Sequence, residues 1–92
     1  MNNKNIEFAI DELDYLMVKV ARVHGDNHKE LIEIKDCYLK IKNAIKDNDL
    51  DAAKRYLNIA YELSSGFKLP DDACQAYTRV YEAFKILINE LK

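Results

Sequence analysis

An all-α, up-down-up-down antiparallel four-helix bundle is the fold this chain predicts, on three observations. Apolar residues recur in steps of three and four through four segments, with no strand-like alternation competing. Glycine and proline are scarce (Gly25, Gly66 and Pro70 only) and fall between those segments. The breaks leave short connections, which make neighbouring helices antiparallel.

The first segment places Ile6, Ala9, Leu13, Leu16, Val20 and Val23 on one stripe. Gly25 is predicted to end it in the left-handed conformation. Asn27 should cap the second helix, with Glu30 three residues on as in a capping box. That helix carries Leu31, Ile34, Tyr38, Ile41 and Ile45. Asp47-Asn48-Asp49 reads as a polar hinge, with Asp49 capping the third helix. Its stripe is Leu50, Ala53, Leu57 and Ala60, widened by Tyr56, Ile59 and Leu63. Gly66 should end it. Pro70-Asp71-Asp72 should open the fourth, with Asp72 and Gln75 at capping-box spacing. Its seam is Cys74, Tyr77, Tyr81, Phe84, Ile88 and Leu91. The expected helices are 5–24, 28–46, 49–65 and 71–91, in one domain spanning 1–92.

Composition narrows the function classes. The 14 basic and 16 acidic residues are interspersed, giving a net charge of −2. That balance argues against a phosphate-tracking face, so no nucleic-acid partner is expected. No apolar run approaches the roughly 18 residues of a membrane span. The polar start, Met1-Asn2-Asn3-Lys4-Asn5, does not read as a signal peptide. A cytoplasmic protein with no membrane partner is the expectation. Cys37 and Cys74 form no C-x-x-C motif and read as two reduced, largely buried thiols. Lys35, Lys40, Lys42, Lys46, Lys54 and Arg55 read as a solvated face, diluted by neighbouring aspartates.

The chain's two histidines, His24 and His28, stand four residues apart around Gly25. The plainer reading is a turn between helices. The second is a partner-binding or ligand-binding surface. The third is a metal site, for which Asp26, Asp71 or Asp72 would be the oxygen donors. Tyr38, Tyr77 and Tyr81 fall on the seams and read as core. Tyr15 and Tyr61 lie off them. Phe8, Ile10, Met17, Ile32 and Leu39 lie outside the strictest seams and leave room for an oligomer interface. There is no nucleophile motif, no phosphate loop and no H-E-x-x-H, so neither enzymatic activity nor a cofactor is expected.

Two stretches carry a resemblance. Val20-Ala21-Arg22-Val23-His24-Gly25-Asp26-Asn27-His28-Lys29-Glu30-Leu31 resembles the V-A-x-V-H-G-x-x-H-P-E-L of hemerythrin-like iron–sulfur cluster repair proteins, the di-iron RIC family. Leu63 to Tyr77, with Gly66-Phe67 and Pro70-Asp71-Asp72-Ala73-Cys74, is similar to that family's L-T-x-G-Y-x-P-P-x-D-A-C-x-x-Y. Both occur in the family's order, and the resemblance covers nearly the whole chain. It implies a hemerythrin-like bundle. The family holds two irons through histidines and carboxylates, and these do not carry over. The first histidine falls near Asn2 or Asn3, a helix-two pair on Asn48 and Ala52, a helix-three histidine on Leu50, and the last pair beyond Lys92. The cysteine-bearing N-terminal domain of many members has no counterpart here.

The resemblance therefore implies a shortened, metal-free member: a non-catalytic binding or accessory module, cytoplasmic and tied to stress response. Its protein-binding surface would be His24, Gly25, Asp26, Asn27, His28, Phe67, Pro70, Asp71 and Asp72, at one end of the bundle. The other end would gather the N-terminus, the Asp47–Asp49 hinge and Lys92. Two alternatives stand beside it. One is an iron-binding repair protein completed by a second copy or second chain. The other is a structural oligomerisation module.

Overall fold

Four helices follow one another in a computed structural model that describes residues 3–91: α1 Lys4–His24, α2 Glu30–Lys46, α3 Leu50–Leu63 and α4 Gln75–Glu90. They pack as a four-helix bundle of 36 × 21 × 18 Å, with no strand among the described residues. The expected Asn2 and Lys92 positions lie outside those residues.

Side-chain contacts fix the helix directions. Asn3 and Asn5 at the start of α1 donate to Glu90 at the end of α4, at 2.6 and 3.2 Å. Halfway along, Arg79 grips Glu12 through two bonds of 2.9 and 2.6 Å. At the far end of α1, His24 meets Cys74. The two helices therefore run antiparallel. Between α1 and α2, the Tyr38 hydroxyl donates to Asp14 Oδ1 at 2.6 Å and to the Ile10 carbonyl at 3.2 Å. Lys42 adds bonds of 2.8 and 2.9 Å to the same carboxylate. Burial pushes the Asp14 carboxyl up, but the Lys42 and Tyr38 bonds outweigh it and hold it below its ordinary value.

Seam residues form most of the core. Ala9, Leu13, Leu31, Ile34, Ile41, Ala53, Ala60, Tyr77 and Phe84 are fully enclosed, and Leu87, off the predicted seam, joins them. Ile45, Leu50 and Ile88 are half-buried, and Ile59 is exposed. Each of the enclosed large aliphatics stabilises the bundle by about 1.5–3 kcal/mol relative to exposure. Met17, outside the strict seam, is enclosed as well. Val23 is not: it is 65% exposed, because the buried face of α1 at this turn runs through Val20, Ala21 and Gly25, and the seven-residue step has drifted off it. Cys74 is also exposed, whereas Cys37 is buried as expected.

Two helix ends share one device. Asn48 (φ 58°) and Ser65 (φ 55°) are left-handed. After α2, the Asp49 N–H reaches Ala44 O at 2.8 Å and the Asn48 N–H reaches Ile45 O at 3.0 Å. After α3, Gly66 reaches Tyr61 O at 2.8 Å and Ser65 reaches Glu62 O at 3.2 Å. Both are Schellman turns that satisfy the last carbonyls. Asp49 then caps α3 as expected, accepting from Ala52 N at 3.1 Å.

Three expected terminators work differently. Gly25 is right-handed (φ −61°), so its glycine is not needed for a left-handed stop. It is needed for space, since a Cβ there would be pressed into the Ala21 carbonyl oxygen. Asn27 does not cap α2. The cap position is Lys29, which offers no side-chain acceptor, while Asn27 N and His28 N both turn back to His24 O at 3.2 and 2.8 Å. Finally, α4 begins at Gln75 rather than 71. Residues 70–73 form a turn closed by Ala73 N to Pro70 O at 3.1 Å, and the cap is Cys74, whose sulfur accepts from Tyr77 N at 3.5 Å. Asp72 is instead drawn away to His28.

The α3–α4 connection is held from inside. Ser65, Gly66 and Phe67 are all left-handed, at φ 55°, 79° and 58°. Such backbone costs free energy for the non-glycine residues. Ser64 offsets it: its buried hydroxyl donates to Tyr61 O at 3.1 Å and accepts from Phe67 N at 2.8 Å. Phe67 is 0% exposed and stacks on Phe84, with ring centres 4.8 Å apart and planes 6° from parallel.

Candidate functional site

One end of the bundle brings the 24–28 turn against the 64–74 connection, and Tyr77 stands at their centre. The His24 and His28 rings both meet the Tyr77 ring edge-to-face, at 5.1 and 5.7 Å between centroids. His28 Nε2 lies 2.9 and 3.1 Å from the two Asp72 oxygens. A proton on Nε2 is the assignment that makes this contact a hydrogen bond. That bond holds the Asp72 carboxyl below its ordinary value. His28 Nδ1 stands 3.8 Å from Glu30, so one imidazole lies between two carboxylates from different parts of the chain.

Beside this clasp opens a cleft of about 340 Å³, lined among others by His28, Glu30, Ser65, Lys68, Pro70 and Tyr77. The Tyr77 hydroxyl is buried; the Tyr81 side chain is the polar neighbour that bears on it, without a hydrogen bond of good geometry among the described residues. Burial raises that phenol above its ordinary value. Most buried hydroxyls are satisfied, and an unsatisfied one is costly.

The expected site residues divide. His24 and His28 are half-buried, Asp26 and Asn27 exposed, Pro70 half-buried, and Asp71 and Asp72 exposed. Gly25 and Phe67 are buried, so they shape this end from beneath and offer no surface to a partner. Tyr77, Glu30 and Cys74 are the residues that sequence reasoning left out of the site. Tyr77 reads as an ordinary seam residue from its spacing. Its role follows from contacts across some 50 positions of chain, which periodicity does not encode.

The irons implied by the resemblance do not fit the described residues. Asn3 is occupied in capping α1 and bonding Glu90, Asn48 forms the left-handed turn after α2, and Leu50 and Ala52 bring no donor. Among the described residues, no group of three or more His, Cys, Asp or Glu side chains is placed to hold a metal ion. Di-iron carboxylate sites need several such donors from facing helices.

A four-helix bundle with this turn and connection is distantly related to the iron–sulfur cluster repair proteins. The relatives are the Iron-sulfur cluster repair protein ScdA of two Staphylococcus epidermidis strains, ATCC 35984 and ATCC 12228. Each is 22% identical over 72% of this chain. The chain spans 44% of the length of those curated relatives. No family model matches the chain, and no solved structure matches it. No helix among the described residues is long and apolar enough to cross a membrane.

Proposed function

We propose that this chain is a metal-free, non-catalytic, cytoplasmic accessory module of iron–sulfur cluster repair, and that it binds a protein partner through the end built from residues 24–30 and 68–77. The single observation that carries the reading is the cleft beside the His28–Asp72 clasp, lined by His28, Glu30, Lys68 and the buried Tyr77. It sits where both motifs of the resemblance converge. The named function of the distant relatives supports the choice of pathway. The unsuitable residues at Asn3, Asn48, Leu50 and Ala52 support the metal-free part.

The test is anaerobic pull-down with the immobilised chain, followed by metal analysis of what is captured. Wild type should retain a protein that carries iron. His28→Ala should retain several-fold less while its stability stays within about 1 kcal/mol of wild type. Equal capture by the variant would refute the assignment of this surface. So would stoichiometric iron on the purified chain itself, which would favour the reading as an iron-binding repair protein.

A further inference from the structure

A second groove, of about 370 Å³, lies between α1 and the start of α4. Cys74 is exposed and lines it together with His24. His24 Nε2 is 3.2 Å from that sulfur. The backbone N–H of Tyr77, in the first turn of α4, points at the same atom from 3.5 Å. A thiol that has a hydrogen-bonded imidazole to take its proton, and N–H dipoles to stabilise the negative charge left behind, is arranged as a nucleophile. Cys37 is the internal contrast: it is buried in α2, and burial pushes its thiol up.

The groove also indicates what would approach. Its lining carries Lys19 and Arg79 and no carboxylate. Arg79 is held by Glu12, whereas the exposed Lys19 makes no ion pair among the described residues. Tyr15 and Val23, 71% and 65% exposed, add apolar surface at the rim.

We propose that Cys74 and His24 form a thiol–imidazole pair that undergoes stoichiometric exchange with a small anionic disulfide bound in this groove. The Sγ–H proton passes to His24 Nε2, with Nδ1 carrying the other ring proton. The sulfur attacks one sulfur of the incoming disulfide. The new S–S bond to Cys74 forms as the old S–S bond breaks. The departing thiolate takes the proton from His24 and leaves as a thiol. Cys74 is oxidised to a mixed disulfide, and the released half of the reagent is reduced. His24 and Cys74 fall within the residue ranges proposed above to bind a partner, but the reaction uses neither the His28–Asp72 clasp nor a partner protein, so the two proposals fail separately.

The test exposes the folded chain to oxidised glutathione at neutral pH and maps the adducts by mass spectrometry. Cys74 should gain one glutathionyl group and Cys37 none. Cys74 should react about tenfold or more faster in the folded chain than in the same chain unfolded in urea, and His24→Asn should remove that advantage. Lys19→Glu should slow glutathione disulfide while leaving neutral hydroxyethyl disulfide unaffected. Equal rates in folded and unfolded chains would overturn the proposal. So would a folded His24→Asn chain that reacts as fast as wild type. Equal slowing of both reagents by Lys19→Glu would overturn the anionic class of disulfide.

Discussion

The two ends of the bundle are fastened by different physics. At the end formed by the start of α1, the α2–α3 hinge and the end of α4, the contacts are local caps and neutral amides. Asn3 caps its own helix through Asn5 N and Ile6 N, and with Asn5 it wraps the Glu90 carboxylate. At the other end, two imidazoles, two carboxylates and a phenol meet across the chain, three consecutive residues are left-handed, and the buried Tyr77 hydroxyl has only the Tyr81 side chain to bear on it. Strain and an unsatisfied polar group persist only where the surrounding structure imposes them, and they gather at binding sites. Size alone would mislead. A larger groove, about 570 Å³, belongs to the first end, between α1 and α2, where Ile6, Ile10 and Ile45 are joined by Glu7, Asp11, Lys42 and Lys46. The cross-chain histidine contacts and the left-handed backbone, not groove volume, separate the two ends.

The largest way to break this contrast is Phe67→Ala. Removing a fully enclosed ring stacked on Phe84 should cost about 3–5 kcal/mol in urea unfolding, because the cavity cannot close around a strained loop. A loss under about 1 kcal/mol would mean that the 64–67 connection is not anchored from inside.

A smaller effect compares the two Schellman turns directly. Ser65→Gly should raise stability by up to about 1 kcal/mol, since glycine relieves the left-handed penalty. Asn48→Gly should gain less, because asparagine already tolerates that conformation. Equal gains, measured by thermal unfolding, would show that the two ends store the same strain.

The smallest effect is electrostatic. Glu90 is held below its ordinary value of 4.5, first by the Asn3 bond and then by Asn5. Asp72 is held below 3.8, chiefly by the His28 bond. A carboxyl lowered on folding adds stability above its unfolded pKa and loses it as pH falls through its folded pKa. The stability difference between wild type and Glu90→Gln should therefore be steady at neutral pH and close as pH drops below 4.5. For Asp72→Asn the closure should begin lower, below 3.8. A difference that widens on acidification would reverse the sign assigned to either contact.

Much of the fold was legible because burial follows helical spacing. Steps of three and four identified Ile6 to Val20 on α1 and Leu31 to Ile41 on α2, and the hinge aspartate behaved as its local chemistry predicts. Spacing failed where the seven-residue step drifted off the buried face, as at Val23, and where a local rule met a long-range competitor. Asp72 has the spacing of a cap, yet His28 takes its carboxylate and a cysteine sulfur caps α4 instead. Gly25 was correctly marked as a break, for a reason that only three dimensions reveal: the close Ala21 carbonyl. Phe67 has no periodic neighbours at all, and only the fold of the 64–67 connection sends it inward. The histidine pair was legible as a feature. Its partners were not, because Asp72 and Cys74 lie 44 and 50 positions away.

The most direct test of the central claim is amide NMR of the labelled chain, titrated with the iron-bearing protein captured in the pull-down. The account predicts shifts concentrated in residues 24–30 and 64–77, with little change around Asn3, Ile45 and Asn48. Shifts centred on the Asn3–Ile45 groove, with the histidine end silent, would contradict it.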